Sequence, residues 1–213
     1  MTNVEKEIYV DLFRTAYNNT TWYQKYPYAM FDRTIIVVSD MIAHRSGEEA
    51  MYEVIDEVTK RGIISMACPY EGEFIGYKKC RDNEGNDVIV TLKIPSHAKR
   101  SSALSKKCRC SEAIVVDIQM IIYDKTPISS VDDNISFMFP NPLIKTNPRI
   151  DKTTSHKIDK AYSSRAGFDS VEQLIYELGN TVKPDSFDPN RFNECSNGIH
   201  FFMTEQEALD YYL

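Results

Sequence analysis

Apolar positions early in the chain recur at helical spacing. Over residues 3–17 (NVEKEIYVDLFRTAY), Val4, Ile8 and Leu12, with Tyr9 and Phe13, fall at three- and four-residue steps and predict a helix with one apolar face. Asn18, Asn19, Thr20 and Thr21 end it. An aromatic cluster follows, in which Trp22, Tyr23, Tyr26, Tyr28 and Phe31 surround Pro27. It suits a cover over the core or a stacking surface for a ring. The run 34–39 (TIIVVS) is short, continuous and β-branched, which predicts a buried strand. Ser46 and Glu49 make a capping-box pattern ahead of a helix over 48–61, with Met51, Val54, Ile55 and Val58 on one side and Gly62 as its stop. Residues 63–67 predict another strand. The first 70 residues therefore predict a small α/β portion.

Beyond residue 70 the pattern becomes β-rich. FIGYKKC (74–80) and VIVTLKI (88–94) flank Asn83-Glu84-Gly85-Asn86, a turn signal that predicts a hairpin. AIVVDIQMIIY (113–123) predicts a further strand. Pro127, Pro140, Pro142 and Pro148 punctuate an extended excursion over 124–160. SVEQLIYEL (170–178) has helical propensity, with Gly179 as a stop. GIHFF (198–202) predicts a short strand, and Thr204 with Glu207 caps a terminal helix. The fold class is α+β: a mainly antiparallel twisted sheet with an N-terminal α/β portion and a C-terminal helix. The division is 1–70 and 71–213, or one continuous domain.

Charge changes this picture at one place. The chain of 213 residues has 25 Lys+Arg against 31 Asp+Glu, a formal charge of −6. From Val88 to Ser111 there is no acidic residue. Setting aside the five cations of 99–109 leaves 20 cations against 31 acids, a balance of −11. A basic island in an acidic protein points to a local anion site rather than to general polyanion binding. The simpler reading is a solvated basic loop. The candidate ligand-binding residues are Lys99, Arg100, Ser102, Lys106, Lys107 and Arg109, with His200 on the last strand. Arginine forks suit bidentate phosphate contacts, lysines supply mobile charge, and serine hydroxyls complete a cradle.

Other chemistries find less support. No G-x-G-x-x-G follows the first predicted strand, and no Walker A pattern occurs. The five cysteines are an odd number, the N-terminus lacks a signal-peptide pattern, and no apolar run reaches membrane-spanning length. Reduced thiols are expected. Cys108-x-Cys110 with Cys195 and His200 offers four ligands, but the C-x-C spacing is tighter than zinc modules use, and no metal or cofactor is expected. Catalysis by Cys195 with His200 lacks an oxyanion donor or orienting carboxylate.

GYKKC (76–80), VTLKIP (90–95), AKRSSALSKKCRCSEAIVVDI (98–118), YELGNTVKPDSFD (176–188) and ECSNGIHFFMTEQEALDYY (194–212) resemble, in that order, a family of uncharacterised domains common in tailed phages and large DNA viruses. In some members a similar domain sits beside pentapeptide repeats. The resemblance implies a viral accessory protein acting in the cytoplasm of an infected cell. In the family, the stretch before Y-x-x-G-x-x-V reads as a strand, which opposes the helical propensity of 170–178. It carries no settled activity.

Three functions follow from these observations. The first is binding of a small phosphorylated or nucleotide-like ligand through the basic loop; in a viral setting this would sequester a host immune signal. The second is an ADP-ribosyltransferase-like enzyme, because GIHFFMTEQEALDYY resembles the strand and capped element that frame nicotinamide in that fold, and Glu112 opens another strand. The third is a non-enzymatic interaction or virion-associated protein with a host or viral partner. No membrane partner is expected, and the sequence does not fix an oligomeric state.

Overall fold

The computed structural model describes residues 1–18, 33–63, 66–102, 106–127, 144–163, 173–191, 193 and 195–211. The aromatic cluster of 22–31 lies outside them. The chain divides into two compact units. Unit 1 comprises Met1–Gly76, Lys93–Ile114 and Lys183–Met203; unit 2 comprises Tyr77–Leu92, Val115–Val182 and Thr204–Leu213.

Unit 1 opens with three helices, α1 (Asn3–Asn18), α2 (Arg33–Ser46) and α3 (Glu48–Lys60), each packed against the other two. Their shared core is Val10, Phe13 and Ala16 from α1, Val38 and Ile42 from α2, and Ala50, Met51, Val54, Ile55 and Val58 from α3. Fully burying a Val, Ile or Phe side chain contributes about 1.5–3 kcal/mol, so this cluster holds the bundle together. Two expectations change here. The run 34–39 is helical, because a short apolar run fits either element and tertiary packing decides. In α2, Val38 and Ile42 stand four residues apart, on one helical face in the core. The buried face of α1 is Val10, Phe13 and Ala16, while Val4, Ile8 and Leu12 are exposed.

The α2–α3 junction also differs from the capping-box expectation. Gly47, at φ +88°, occupies the N-cap of α3 without a side-chain cap, and the Ser46 hydroxyl faces the Tyr9 hydroxyl at 3.3 Å. At the other end Gly62 has φ +64°, and Ile63 N–H donates to the Val58 carbonyl at 2.9 Å, which closes the helix. Residues 64 and 65 of the expected strand 63–67 lie outside the described residues, residues 66–72 form neither helix nor strand, and the described N-terminal portion is helical.

The rest of unit 1 is built on a three-stranded antiparallel sheet, in the order β10 (Ile199–Phe201), β4 (Cys108–Cys110), β3 (Arg100–Ser102). The stretch expected as a basic loop therefore contains two paired strands. Their register sets Ser101 and His200 opposite Arg109, and Ser102 and Phe201 opposite Cys108.

Unit 2 carries the larger sheet, in the order β6 (Ile144–Ile150), β5 (Ala113–Pro127), β2 (Asp87–Ile94), β1 (Phe74–Arg81), β7 (Lys160–Tyr162), β8 (Ile175–Glu177), with β9 (Thr181–Val182) paired to β5. The ends of β1, β2 and β5 belong to unit 1. The β1–β2 turn is the expected one, with Gly85 at φ +86°. Consecutive buried residues Val88, Ile89 and Val90 show that both faces of β2 are covered. Pro148 pairs opposite Tyr123 in β6, which ends the strand order; an edge tolerates a residue without an N–H. Residues 175–177 are strand, so pairing with β7 overrides their helical propensity. A short helix, α4 (Glu205–Leu209), ends the described chain, and Thr204 Oγ1 accepts from Glu207 N–H at 3.2 Å, as the capping box predicts. The architecture is α+β with antiparallel pairing, as expected.

Candidate functional site

Three arginines in unit 1 donate to backbone carbonyls. Arg100, at the start of β3, donates to Gly72 O (2.6 Å), Pro95 O (2.7 Å), Ser96 O (3.0 Å) and Ala98 O (3.2 Å). Its guanidinium also lies 5.1 Å from the Phe74 ring centroid. Arg109, only 2% exposed, donates to Asp188 O (2.9 Å), Asn197 O (2.8 Å) and Asn190 O (2.7 Å), beside the Phe187 ring. Arg191, 3% exposed, donates to Ser102 O at 3.0 Å and to the Thr59 hydroxyl. Carbonyls satisfy N–H donors but carry no net charge. Arg100 forms no ion pair among the described residues, so its positive charge is oriented but not cancelled.

A cavity of about 390 Å³ lies in unit 1. That volume falls in the ordinary range for small-molecule sites. Arg100, Arg191 and Lys99 contribute cations to its lining. Tyr52 and Tyr70 contribute aromatic surface, as does Phe187, while Ser96 and Ser101 contribute hydroxyls. Asp56 and Glu71 are the acids, and Asp56 is already occupied by Lys60 at 2.6 Å and by the Tyr70 hydroxyl. Burial raises the Asp56 pKa, but the Lys60 and Tyr70 contacts outweigh it and hold the carboxyl below its ordinary value. Burial and the Asp56 contact push the Tyr70 phenol up to about 12, so it remains a neutral donor. Burial, then the charges of Asp188 and Glu48, also raise the Tyr52 phenol.

The structure separates the seven residues expected from sequence. Lys99 and Arg100 line the cavity. Lys99 is exposed, and its backbone is fixed by Ser111 in both directions, at 2.9 Å each. Ser102 is buried, and its hydroxyl accepts from Ala67 N–H at 2.8 Å. Lys106 and Lys107 lie away from the cavity lining, and Lys107 Nζ stands 3.7 Å from Cys195 Sγ. Arg109 is a buried organiser of 188–197 rather than an open cation. His200, half-buried, shares a sheet face with Arg109 and does not line the cavity.

Sequence reasoning missed Tyr52, Tyr70, Phe187 and Arg191. Tyr52 and Thr59 lie seven residues apart on α3, a spacing that returns to one helix face and was available to periodicity. Nothing local marks Phe187 or Arg191. Glu112, the carboxylate of the transferase reading, is held by Lys183 at 2.8 Å and by His97. The Lys183 contact lowers its pKa most; burial opposes that, and His97 adds to the lowering. Among the described residues no cluster of three or more His, Cys, Asp or Glu could hold a metal ion. No helix there is long and apolar enough to cross a membrane.

Fold and site together define an α+β protein with a cationic, aromatic-lined cavity beside a three-stranded sheet. The model of a family of unknown function, DUF5758, matches residues 64–146 and 144–208, and the chain belongs to that family. No curated protein and no solved structure matches the chain.

Proposed function

We propose that the protein binds a small anionic ligand with a ring, of nucleotide type, in the unit 1 cavity. One observation carries this reading: Lys99, Arg100 and Arg191 meet Tyr52, Tyr70 and Phe187 around one volume of about 390 Å³. Rings supply stacking surface, and the oriented charge of Arg100, with exposed Lys99 beside it, supplies anion affinity in a partly desolvated site. The anion site thus moves from the whole basic stretch to one end of it. Arg100 presents an already immobilised charge, and exposed Lys99 is free to reorient. The ligand meets preorganised groups and loses little in ordering them.

The biological setting follows from the sequence resemblance alone: a viral accessory protein that removes a nucleotide-type immune signal from its receptor in the host cytoplasm. Calorimetry with nucleoside mono-, di- and triphosphates, cyclic dinucleotides and cyclic ADP-ribose isomers, at low salt, tests the binding reading. Saturable heat with at least one of them is expected. No heat from any would overturn it.

A further inference from the structure

Outside the ligand chemistry, unit 1 buries an unused pair of thiols. Cys68 is 3% exposed and Cys108 is fully buried, and neither is in a disulfide. Cys68 lies in 66–72, and Cys108 opens β4. Ser102 sits between them: the Cys68 thiol donates to its hydroxyl at 3.9 Å, and its Cα pairs directly with that of Cys108. Directly opposed residues project to the same sheet face with Cβ atoms about 4.5–5.5 Å apart. Both cysteines thus stand beside the one Ser102 side chain. We propose that Cys68 and Cys108 are an oxidisable dithiol whose disulfide fastens segment 66–72 to strand β4.

The chemistry needs hydrogen peroxide as oxidant. The Cys68 thiolate attacks one peroxide oxygen, the O–O bond breaks, and the departing hydroxide leaves as water after taking a proton. Cys68 is then a sulfenic acid. The Cys108 sulfur attacks that sulfur, the S–O bond breaks, and the expelled hydroxide takes the Cys108 proton as a second water. Two electrons pass from the two sulfurs to the two peroxide oxygens, and the S–S bond remains.

Cys68 is the attacking thiol. The Cys108 hydrogen bond lowers its pKa most; burial opposes this, and the Ser102 hydroxyl and Arg100 charge add to the lowering. Cys80 is the contrast, since burial pushes its thiol up to about 12. Access comes by local opening of 66–72, which has no helix or strand bonds to break. Because Met66, Tyr70 and Glu71 line the cavity, the disulfide also fixes one of its walls. The bond itself does not depend on what the cavity binds.

The test is peroxide treatment of the full chain and of Cys195→Ser, which removes the exposed thiol, followed by alkylation in denaturant and peptide mapping. The expected product has lost the mass of two hydrogens, joins the peptides carrying Cys68 and Cys108, and reverts with dithiothreitol. Cys68→Ser should abolish that mass loss. Cys68 and Cys108 both recovered alkylated after peroxide, or Cys68 joined to Cys80 or Cys110 instead, would overturn the proposal. Mapping on the chain with both thiols intact decides the matter even if Cys68→Ser folds poorly.

Discussion

Arg109→Ala should unfold the protein far more readily than it removes a ligand contact. The guanidinium makes three carbonyl bonds of 2.7–2.9 Å and is 2% exposed. Hydrogen bonds to a charged group contribute about 1.5–3 kcal/mol each, so the three sum to an upper figure of roughly 5–9 kcal/mol. Relief of the buried charge offsets part of that, and removing one partner from a buried charged network typically costs about 3–5 kcal/mol. The expected loss is about 4 kcal/mol, a large share of the 5–15 kcal/mol that holds a typical domain. In urea, with a slope of about 2 kcal/mol/M, the midpoint should fall by about 2 M at unchanged slope. Arg109→Lys keeps the charge but not the fork, and should lose about half as much. If Arg109→Ala stays within about 1 kcal/mol of the parent, the carbonyl network does not organise 188–197, and the placement of Phe187 and Arg191 loses its explanation.

Two further outcomes test the packing and the electrostatics. Gly76→Ala places a Cβ 2.5 Å from Phe201 Cδ2, and Phe201 is fully buried, so the variant should lose about 1–3 kcal/mol by thermal melting, with partial recovery in Gly76→Ala/Phe201→Leu. At Asp188 burial raises the pKa, but contacts from Ser196, Asn193, the Asn190 N–H and Arg109 outweigh it and hold the carboxyl below 3.8. A depressed folded value means that stability is fully present above the unfolded value and is lost as pH falls through the folded one, so Asp188→Asn should flatten the stability profile below about pH 4.

The second half of the fold was legible because its signals are local. Asn83-Glu84-Gly85-Asn86 needs Gly85 at positive φ, and Thr204 needs only the N–H of Glu207 three residues on. The run 34–39 misled because a β-branched stretch of that length fits a strand or a core helix, and only α1 and α3 decide between them. Charge misled in another way. Net charge along the chain says nothing about what faces a side chain, so Arg100, Arg109 and Lys99 looked equivalent. Their fates differ because carbonyls of 188–197, far along the chain, surround Arg109, while Lys99 meets the cavity. The alternation Cys108-Arg109-Cys110 was a visible hint, since a paired strand puts the arginine on the face opposite the two cysteines.

The most direct test of the cavity reading is calorimetric titration of Lys99→Ala beside Lys106→Ala/Lys107→Ala, with the nucleotide that binds the parent chain best. The account predicts roughly tenfold weaker binding for Lys99→Ala, about 1.4 kcal/mol, with unchanged melting, and parent-like affinity for the double variant. Parent-like affinity for Lys99→Ala with loss in the double variant would contradict it and return the anion site to the far end of the basic stretch.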